Sequence, residues 1–158
     1  ASVGAIIVRG NSVMEGADAD PEATADAMRG GWFHSGDSAV IHPDGYAEIR
    51  DRIKDVIISG GENISSVEVE GMLLRHPAVQ EVAIVGLPNE RWGEAPHAFV
   101  VLKAGGAASA AELRDFARAH LAHFKAPQGV TFVSELPKTA TGKVQKYLLR
   151  GRPAISKQ

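Results

Sequence analysis

Two lysines, Lys138 and Lys143, lie in a short segment built from Pro, Thr, Ala and Gly. Pro, Thr and Gly disfavour regular structure, so the segment is predicted to be an exposed loop that reaches into a neighbouring cleft. Lysine carries a compact charge on a long flexible stem, which suits a phosphate ligand. A solvated turn with two surface lysines is the commoner meaning of so short a motif. The functional interpretation therefore depends on the motifs that precede it.

Three upstream residues or segments could also contact a ligand. Asp37 follows a glycine, and its carboxylate offers only acceptor oxygens, which suits a pair of ribose hydroxyls, although Gly-Asp is also an ordinary turn. The pair Gly60-Gly61 could let a ligand pass close to the backbone, although turns use the same pair. Trp92 lies in a predicted loop, where a large aromatic side chain covers either a ligand or its own domain.

His120 and His123 are spaced as a metal pair on one predicted helix. No third ligand follows nearby, and His120 falls within the apolar stripe of that helix. A core histidine is therefore the better interpretation, and no metal site is expected.

Composition restricts the class of protein. The chain has 158 residues, 44% of them hydrophobic, a net charge of −2 and no cysteine. Disulfides and thiol catalysis are excluded, and the interspersed charges argue against a nucleic-acid partner. No apolar run approaches the roughly 18 residues of a transmembrane segment. The chain begins at Ala1 without an initiator Met, so we expect a piece of a longer protein.

Periodicity and capping residues predict an α+β fold. A strand, a helix capped by Asp20, and a hairpin precede a charged connector at 51–55. From Asp55 onward the pattern is β-α-β-β-α-β, with capping boxes at Ser65/Glu68 and Ser109/Glu112. The predicted strands are 5–8, 39–41, 46–49, 55–58, 82–85, 98–102 and 130–133, and 59–63 is predicted as a loop.

Five motifs in order carry a resemblance to a known family. They are 36–37, the charged cluster 51–55 running into 57–64, the Val-Glu-Val-Glu of 67–70, the Arg-Trp-Gly-Glu of 91–94, and 137–143. The series resembles the C-terminal part of adenylate-forming (AMP-binding) enzymes: acyl-CoA synthetases, peptide-synthetase adenylation domains and luciferases. Ser-Gly-Gly-Glu-Asn-Ile is the form typical of acyl-CoA ligases.

The resemblance implies a small C-terminal lid domain, with a mixed sheet and flanking helices, preceded by a β-rich remnant of the large N-terminal domain. The implied boundaries are 1–51 for the remnant, 52–54 for the hinge and 55–158 for the lid.

The resemblance also implies roles in the first half-reaction. The family's catalytic lysine falls on Lys143 and not on Lys138. Asp37 matches the acid that holds the ribose, Arg52 matches a nucleotide-contacting arginine, and Lys54 falls at the hinge. ATP, Mg²⁺ and a carboxylic acid would be the reactants.

Roles in transfer to CoA follow in the same way. Ser59 and the Gly60-Gly61 backbone would line the pantetheine tunnel, and Trp92 would lie near the CoA nucleotide. The segment Phe124-Lys125 would add a CoA contact. Some relatives carry basic residues where Ala126 and Gln128 stand here, so Lys125 is the cation that remains.

The implied function is that of an ATP-dependent acid-thiol ligase, incomplete in this chain and expected to be inactive alone. Its acid would be a medium- or long-chain fatty acid, with aromatic acids also open. The expected partners are its own missing N-terminal domain, ATP, CoA and the acid, in the cytoplasm. Two alternatives are an adenylation domain that loads a carrier protein and a non-catalytic binding domain that kept the lid fold.

Overall fold

A computed structural model describes residues 3–16 and 20–151, without the side chains of Arg50 and Asp51. The chain divides between Lys54 and Asp55 into two compact units. Residues 1–2, 17–19 and 152–158 lie outside the described residues. The start of the predicted domain 1–51 and the end of the predicted domain 55–158 therefore also lie outside them. The domain boundaries given above stay predictions about the whole protein.

The first unit is a three-stranded antiparallel sheet with one short helix. Asp20 caps that helix by accepting the Ala23 N–H at 2.9 Å, and Pro21 occupies its first position, as predicted. The elements are β1 (Val3–Val8), α1 (Pro21–Ala27), a 3₁₀ turn (Arg29–Gly31), β2 (Phe33–Ile41) and β3 (Ala47–Arg52), in the sheet order β1-β2-β3.

The predicted hairpin around 43–45 is confirmed, but its strands are longer than predicted. Asp37 lies within β2 and is not in a turn, and the end of β3 contains Asp51 and Arg52, which were predicted to be connector. A register shift follows Ser38, where Ser38 faces Asp51 while Ala39 faces Ile49. Strand pairing therefore extends into the charged cluster. The alternation of apolar and polar residues along the sequence does not predict this pairing.

The second unit holds a five-stranded sheet in the order β5-β4-β7-β6, with β8 parallel to β7. Its elements are β4 (Ile57–Ser59), β5 (Glu62–Ile64), α2 (Ser66–Leu73), β6 (Val79–Asn89), β7 (Gly93–Leu102), α3 (Ala110–His120), a 3₁₀ turn (His123–Lys125), β8 (Gly129–Phe132) and α4 (Lys146–Arg150). The predicted α+β class is confirmed.

Strands β6 and β7 are apolar on both faces because both faces of the sheet are covered. Val82 and Ile84 pack with residues of α2 and α3, whereas Ala83 and Val85 pack on the opposite face with Leu149 of α4. The unit is therefore a sheet between two layers, and α4 belongs to the thinner one.

Several local predictions for this unit were wrong. The loop 59–63 is a tight turn followed by the unpredicted strand β5. The capping box at Ser109/Glu112 is complete, whereas at Ser65 the hydroxyl accepts the Glu68 N–H but the Glu68 carboxylate binds elsewhere. His120 is exposed and its Nδ1 lies 2.8 Å from the Phe116 carbonyl oxygen, so it is not a core residue.

Candidate functional site

Lys143 lies in a narrow loop whose two arms are held by backbone hydrogen bonds. The Thr139 N–H donates to the Lys143 carbonyl at 2.8 Å, and the Gln145 N–H donates to the Pro137 carbonyl at 2.8 Å. Gly142 closes the turn with a φ of 84°, a conformation that favours glycine. The predicted exposed loop thus has a defined geometry, and it presents the Lys143 side chain to solvent.

Charge pairing distinguishes Lys143 from the other cations between residues 138 and 150. The other cations are three in number, and each is held in an ion pair with an acid elsewhere in the unit. In the part of the chain that the structure describes, Lys143 has no such acid. Its ammonium group is therefore available to a negative ligand. The three pairs are Lys138–Glu81 at 2.6 Å, Lys146–Glu70 at 2.9 Å and Arg150–Asp55 at 2.7 Å.

Gly60 and Gly61 form the two-residue turn between β4 and β5. Their φ angles of 59° and 87° are both positive, as a type I′ hairpin turn requires. Ser59 is buried at the start of the turn and faces Gly93 of β7. The pair predicted to approach a ligand therefore also has a structural reason to be glycine.

Trp92 packs against this turn. The Gly60 N–H donates to the Trp92 carbonyl at 2.9 Å, and a Cβ placed on Gly60 would lie 2.8 Å from Trp92 Cε3. The indole nevertheless remains 39% exposed. Trp92 thus covers part of its own domain and still offers ring surface to a ligand.

Arg91 adds a charge that the sequence analysis did not single out. Its guanidinium carbon lies 4.5 Å from the centre of the Trp92 ring, a cation–π arrangement. The Asn89 side-chain oxygen accepts the N–H groups of Arg91 and Trp92, each at 3.0 Å, and so fixes the turn. The adjacency of Arg91 and Trp92 in the sequence could have predicted this cation–π pair.

Phe124 and Lys125 lie in the 3₁₀ turn after α3. Phe124 is exposed, and the Lys125 ammonium donates to both carboxylate oxygens of Glu68, at 2.7 and 2.8 Å. The cation predicted to remain for CoA therefore already has an acidic partner.

Asp37 and Arg52 face each other across β2 and β3 in the first unit. Arg52 Nε lies 3.6 Å from Asp37 Oδ1, and the Asp37 N–H donates to the Ser35 hydroxyl at 3.1 Å. The sheet register thus brings two of the predicted nucleotide-binding residues together, although they stand fifteen positions apart in the chain.

A cavity of about 410 Å³ lies beside this pair within the first unit. Its basic lining residues are Arg29, His34, Arg52 and Lys54. Lys54, the predicted hinge residue, lies in the 3₁₀ turn Ile53–Asp55, directly before the point at which the chain divides.

His97 was not predicted to be special, yet its surroundings shift its pKa. Burial lowers the pKa of His97 below its ordinary value of 6.5, because the charged imidazolium loses hydration. Its Nε2 lies 2.8 Å from the Thr131 hydroxyl on β8.

Among the described residues there is no group of three or more His, Asp or Glu arranged to hold a metal ion. No helix there has the length and apolar character needed to cross a bilayer.

Comparisons with known proteins identify similar sequences. Residues 68–143 match the family model described as the AMP-binding enzyme C-terminal domain. The chain is 53% identical over 152 residues to a probable acyl-activating enzyme 4 of Arabidopsis thaliana, covering 95% of this chain and 28% of that protein. It is also 53% identical over 152 residues to the 2-methylpropanoate–CoA ligase CCL4 of Humulus lupulus, covering 94% of this chain and 27% of that one.

A solved structure shares the fold. ATP-bound MatB from Rhodopseudomonas palustris superposes with a TM-score of 0.87 at 37% identity, over 94% of this chain and 30% of that chain. The two curated relatives are much longer than this chain, which spans little more than a quarter of the length of each.

Proposed function

Since residues 68–143 belong to the AMP-binding enzyme C-terminal domain family, we propose that this chain is the C-terminal part of an AMP-forming acyl-CoA synthetase. In the proposed reaction a carboxylate attacks the α-phosphorus of ATP, releasing pyrophosphate and forming an acyl-adenylate. The thiol of CoA then displaces AMP. ATP would enter as its magnesium complex.

The free ammonium group of Lys143 is the observation that supports this proposal most directly. Negative charge builds on the α-phosphate and the attacking carboxylate in the first step, and a positioned cation stabilises it. Lys138 is held by Glu81, whereas Lys143 is exposed on a hydrogen-bonded loop. We therefore assign the catalytic role to Lys143.

The nucleotide would be held from the first unit. Asp37 would accept the ribose hydroxyls, and Arg52, which already neighbours Asp37, would contact the nucleotide. Lys54 would act as the hinge between the pose for adenylation and the pose for thioester formation. A complete site needs the opposing wall of the large N-terminal domain, so the chain alone is expected to be inactive.

CoA would be recognised by the turn surface of the second unit. Ser59, Gly60 and Gly61 would line the pantetheine path, and the exposed part of the Trp92 ring would stack on the nucleotide base. Arg91, whose guanidinium lies over that ring, would supply positive charge. Phe124 and Lys125 would contribute at the edge, with Lys125 exchanging its contact to Glu68 for one to the ligand.

A medium- or long-chain fatty acid is the predicted substrate, while a similar ligase is named for the short branched acid 2-methylpropanoate. The cytoplasmic location is likewise a prediction.

The test compares two lysines of one loop in the full-length protein that carries this segment. Lys143→Met should lower ATP–pyrophosphate exchange by about 10²–10³-fold, the usual effect of losing one stabilising donor. Thioester formation from supplied acyl-adenylate should stay within about twofold. The matched control, Lys138→Met, removes a cation that is already paired and should leave exchange within about threefold. Equal losses in both half-reactions for Lys143→Met would contradict the assignment.

A further inference from the structure

We propose that Arg150 is a positioning residue for the adenylation step, because its ion pair with Asp55 fastens the Lys143 loop to the chain directly after Lys54. The inference rests on the proposed function, in which Lys143 acts in the first half-reaction and Lys54 is the hinge. Arg150 itself touches no reacting group in this account. It acts through the helix that carries it.

Helix α4 cannot hold its own position. It has five residues, fewer than an isolated helix needs, and a single fully buried side chain, Leu149, packs it on the sheet. A single buried side chain, clustered with Val85 and Phe99, restricts the rotation of a short helix less than a continuous apolar face would. Polar contacts at its two ends must therefore fix its orientation.

Those contacts are present at both ends of α4. At the start, the Lys146 ammonium lies 2.9 Å from Glu70 and 2.5 Å from the Ser66 hydroxyl. At the end, Arg150 Nη2 lies 2.7 Å from Asp55 Oδ1. Lys146 ties α4 to helix α2, whereas Arg150 reaches across 95 positions to the start of the second unit.

The Arg150–Asp55 pair is well placed to transmit position. The two side chains are only 33% and 19% exposed, so water screens the pair less than it would a surface pair. Its distance is that of a strong charge-assisted hydrogen bond. Asp55 lies two residues before Ile57, which is fully buried in β4, so the acid is fixed to the sheet.

The position of α4 is passed directly to Lys143. Only two residues, Val144 and Gln145, separate Lys143 from the start of α4, and the Gln145 N–H is bound to the Pro137 carbonyl. The two arms of the loop are tied to each other by the hydrogen bond from the Thr139 N–H to the Lys143 carbonyl. Asp55 and the Lys143 loop therefore belong to one body, and a rotation at Lys54 carries Lys143 with it.

The experiment separates the two half-reactions in the full-length protein. Arg150→Met and Asp55→Asn should each lower the kcat of adenylation by about tenfold or more, because a shift of about 1 Å in a catalytic group can cost up to 10²-fold. The KM for ATP should change by less than about threefold, and thioester formation from supplied acyl-adenylate should stay within about twofold. The matched control is Arg118→Met, which removes an exposed ion pair on α3 and should change neither step.

Charge reversal supplies a further, supporting measurement. The double variant Asp55→Arg/Arg150→Asp rebuilds the pair with its signs exchanged and should recover most of the lost adenylation rate. Arg150→Lys keeps the charge and serves if Arg150→Met fails to fold; its adenylation rate should lie between the parent and Asp55→Asn. Thermal unfolding of each variant identifies those that fold.

Two results would overturn the inference. One is an adenylation rate in folded Arg150 and Asp55 variants equal to that of the parent, and the other is a loss shared equally by both half-reactions. Lys143→Met, measured alongside, separates this failure from a failure of the proposed function. If Lys143→Met abolishes adenylation while Arg150→Met does not, only the positioning role falls; if Lys143→Met has no effect, both fall.

Discussion

Replacing Gly60 by alanine should destabilise the second unit more than the same change at Gly61. Both residues have positive φ angles, so alanine at either site costs about 1–2 kcal/mol of backbone strain. The reduced freedom of the unfolded chain returns about 0.4–1 kcal/mol in both variants. Both contributions are about the same in the two variants, so they largely cancel when the two free energies of unfolding are compared.

The difference between the two variants comes from Trp92. A Cβ on Gly60 would lie 2.8 Å from Trp92 Cε3, well inside van der Waals contact, whereas a Cβ on Gly61 would meet nothing within 4 Å. The indole must move, and overpacking of this kind costs about 1–3 kcal/mol. Gly60→Ala should therefore lose about 1–3 kcal/mol more than Gly61→Ala.

Urea unfolding followed by tryptophan fluorescence measures this difference. The chain has two tryptophans, so Trp32→Phe is introduced first to make Trp92 the only reporter. Gly60→Ala should also shift the emission of the folded state, because the ring leaves the turn. In a Trp92→Leu background the excess cost should shrink by about 1 kcal/mol or more. Equal destabilisation by both alanines, with unchanged emission, would refute this account of the turn.

Two further predictions concern pH and the hinge. Because burial lowers the pKa of His97, the unfolded chain binds a proton at a higher pH than the folded chain does. The free energy of unfolding should therefore be unaffected by His97 above about pH 6.5 and should decrease as the pH falls through that value. His97→Gln should flatten this part of the stability profile in denaturation series from pH 5 to pH 8, and an unchanged slope would contradict the prediction. Lys54→Pro, which fixes φ near −65°, should spare adenylation and lower CoA transfer by about 10²-fold or more in the full-length protein. An acyl-CoA rate equal to that of the parent would mean that the hinge lies elsewhere.

The parts of the fold that local patterns control were predictable. Strands β6 and β7 were found from their apolar runs, and α1 and α3 from their capping residues Asp20 and Ser109. The family resemblance, which came from the order of five motifs, holds for residues 68–143.

Features that depend on distant pairing were not predictable. Strand β5 has three residues and no apolar period, and it exists because the Gly60-Gly61 turn folds it back on β4. Glu68 has the position of a capping-box acid, yet it binds Lys125, 57 positions away. Lysines 138 and 143 look alike in the sequence, and only the fold brings Glu81 to one of them.

The Glu70 carboxylate has a consequence for association between molecules. Strand β6 is eleven residues long, largely apolar, and lies at the edge of its sheet, where unpaired N–H groups invite a strand from another chain. Glu70 Oε1 accepts the Ile84 N–H at 2.8 Å in the middle of that edge, and Lys146 lies over the same oxygen. An incoming strand would have to displace a charged pair before it could form its first hydrogen bond there. The contact that anchors α4 therefore also protects this edge of the sheet from edge-to-edge aggregation.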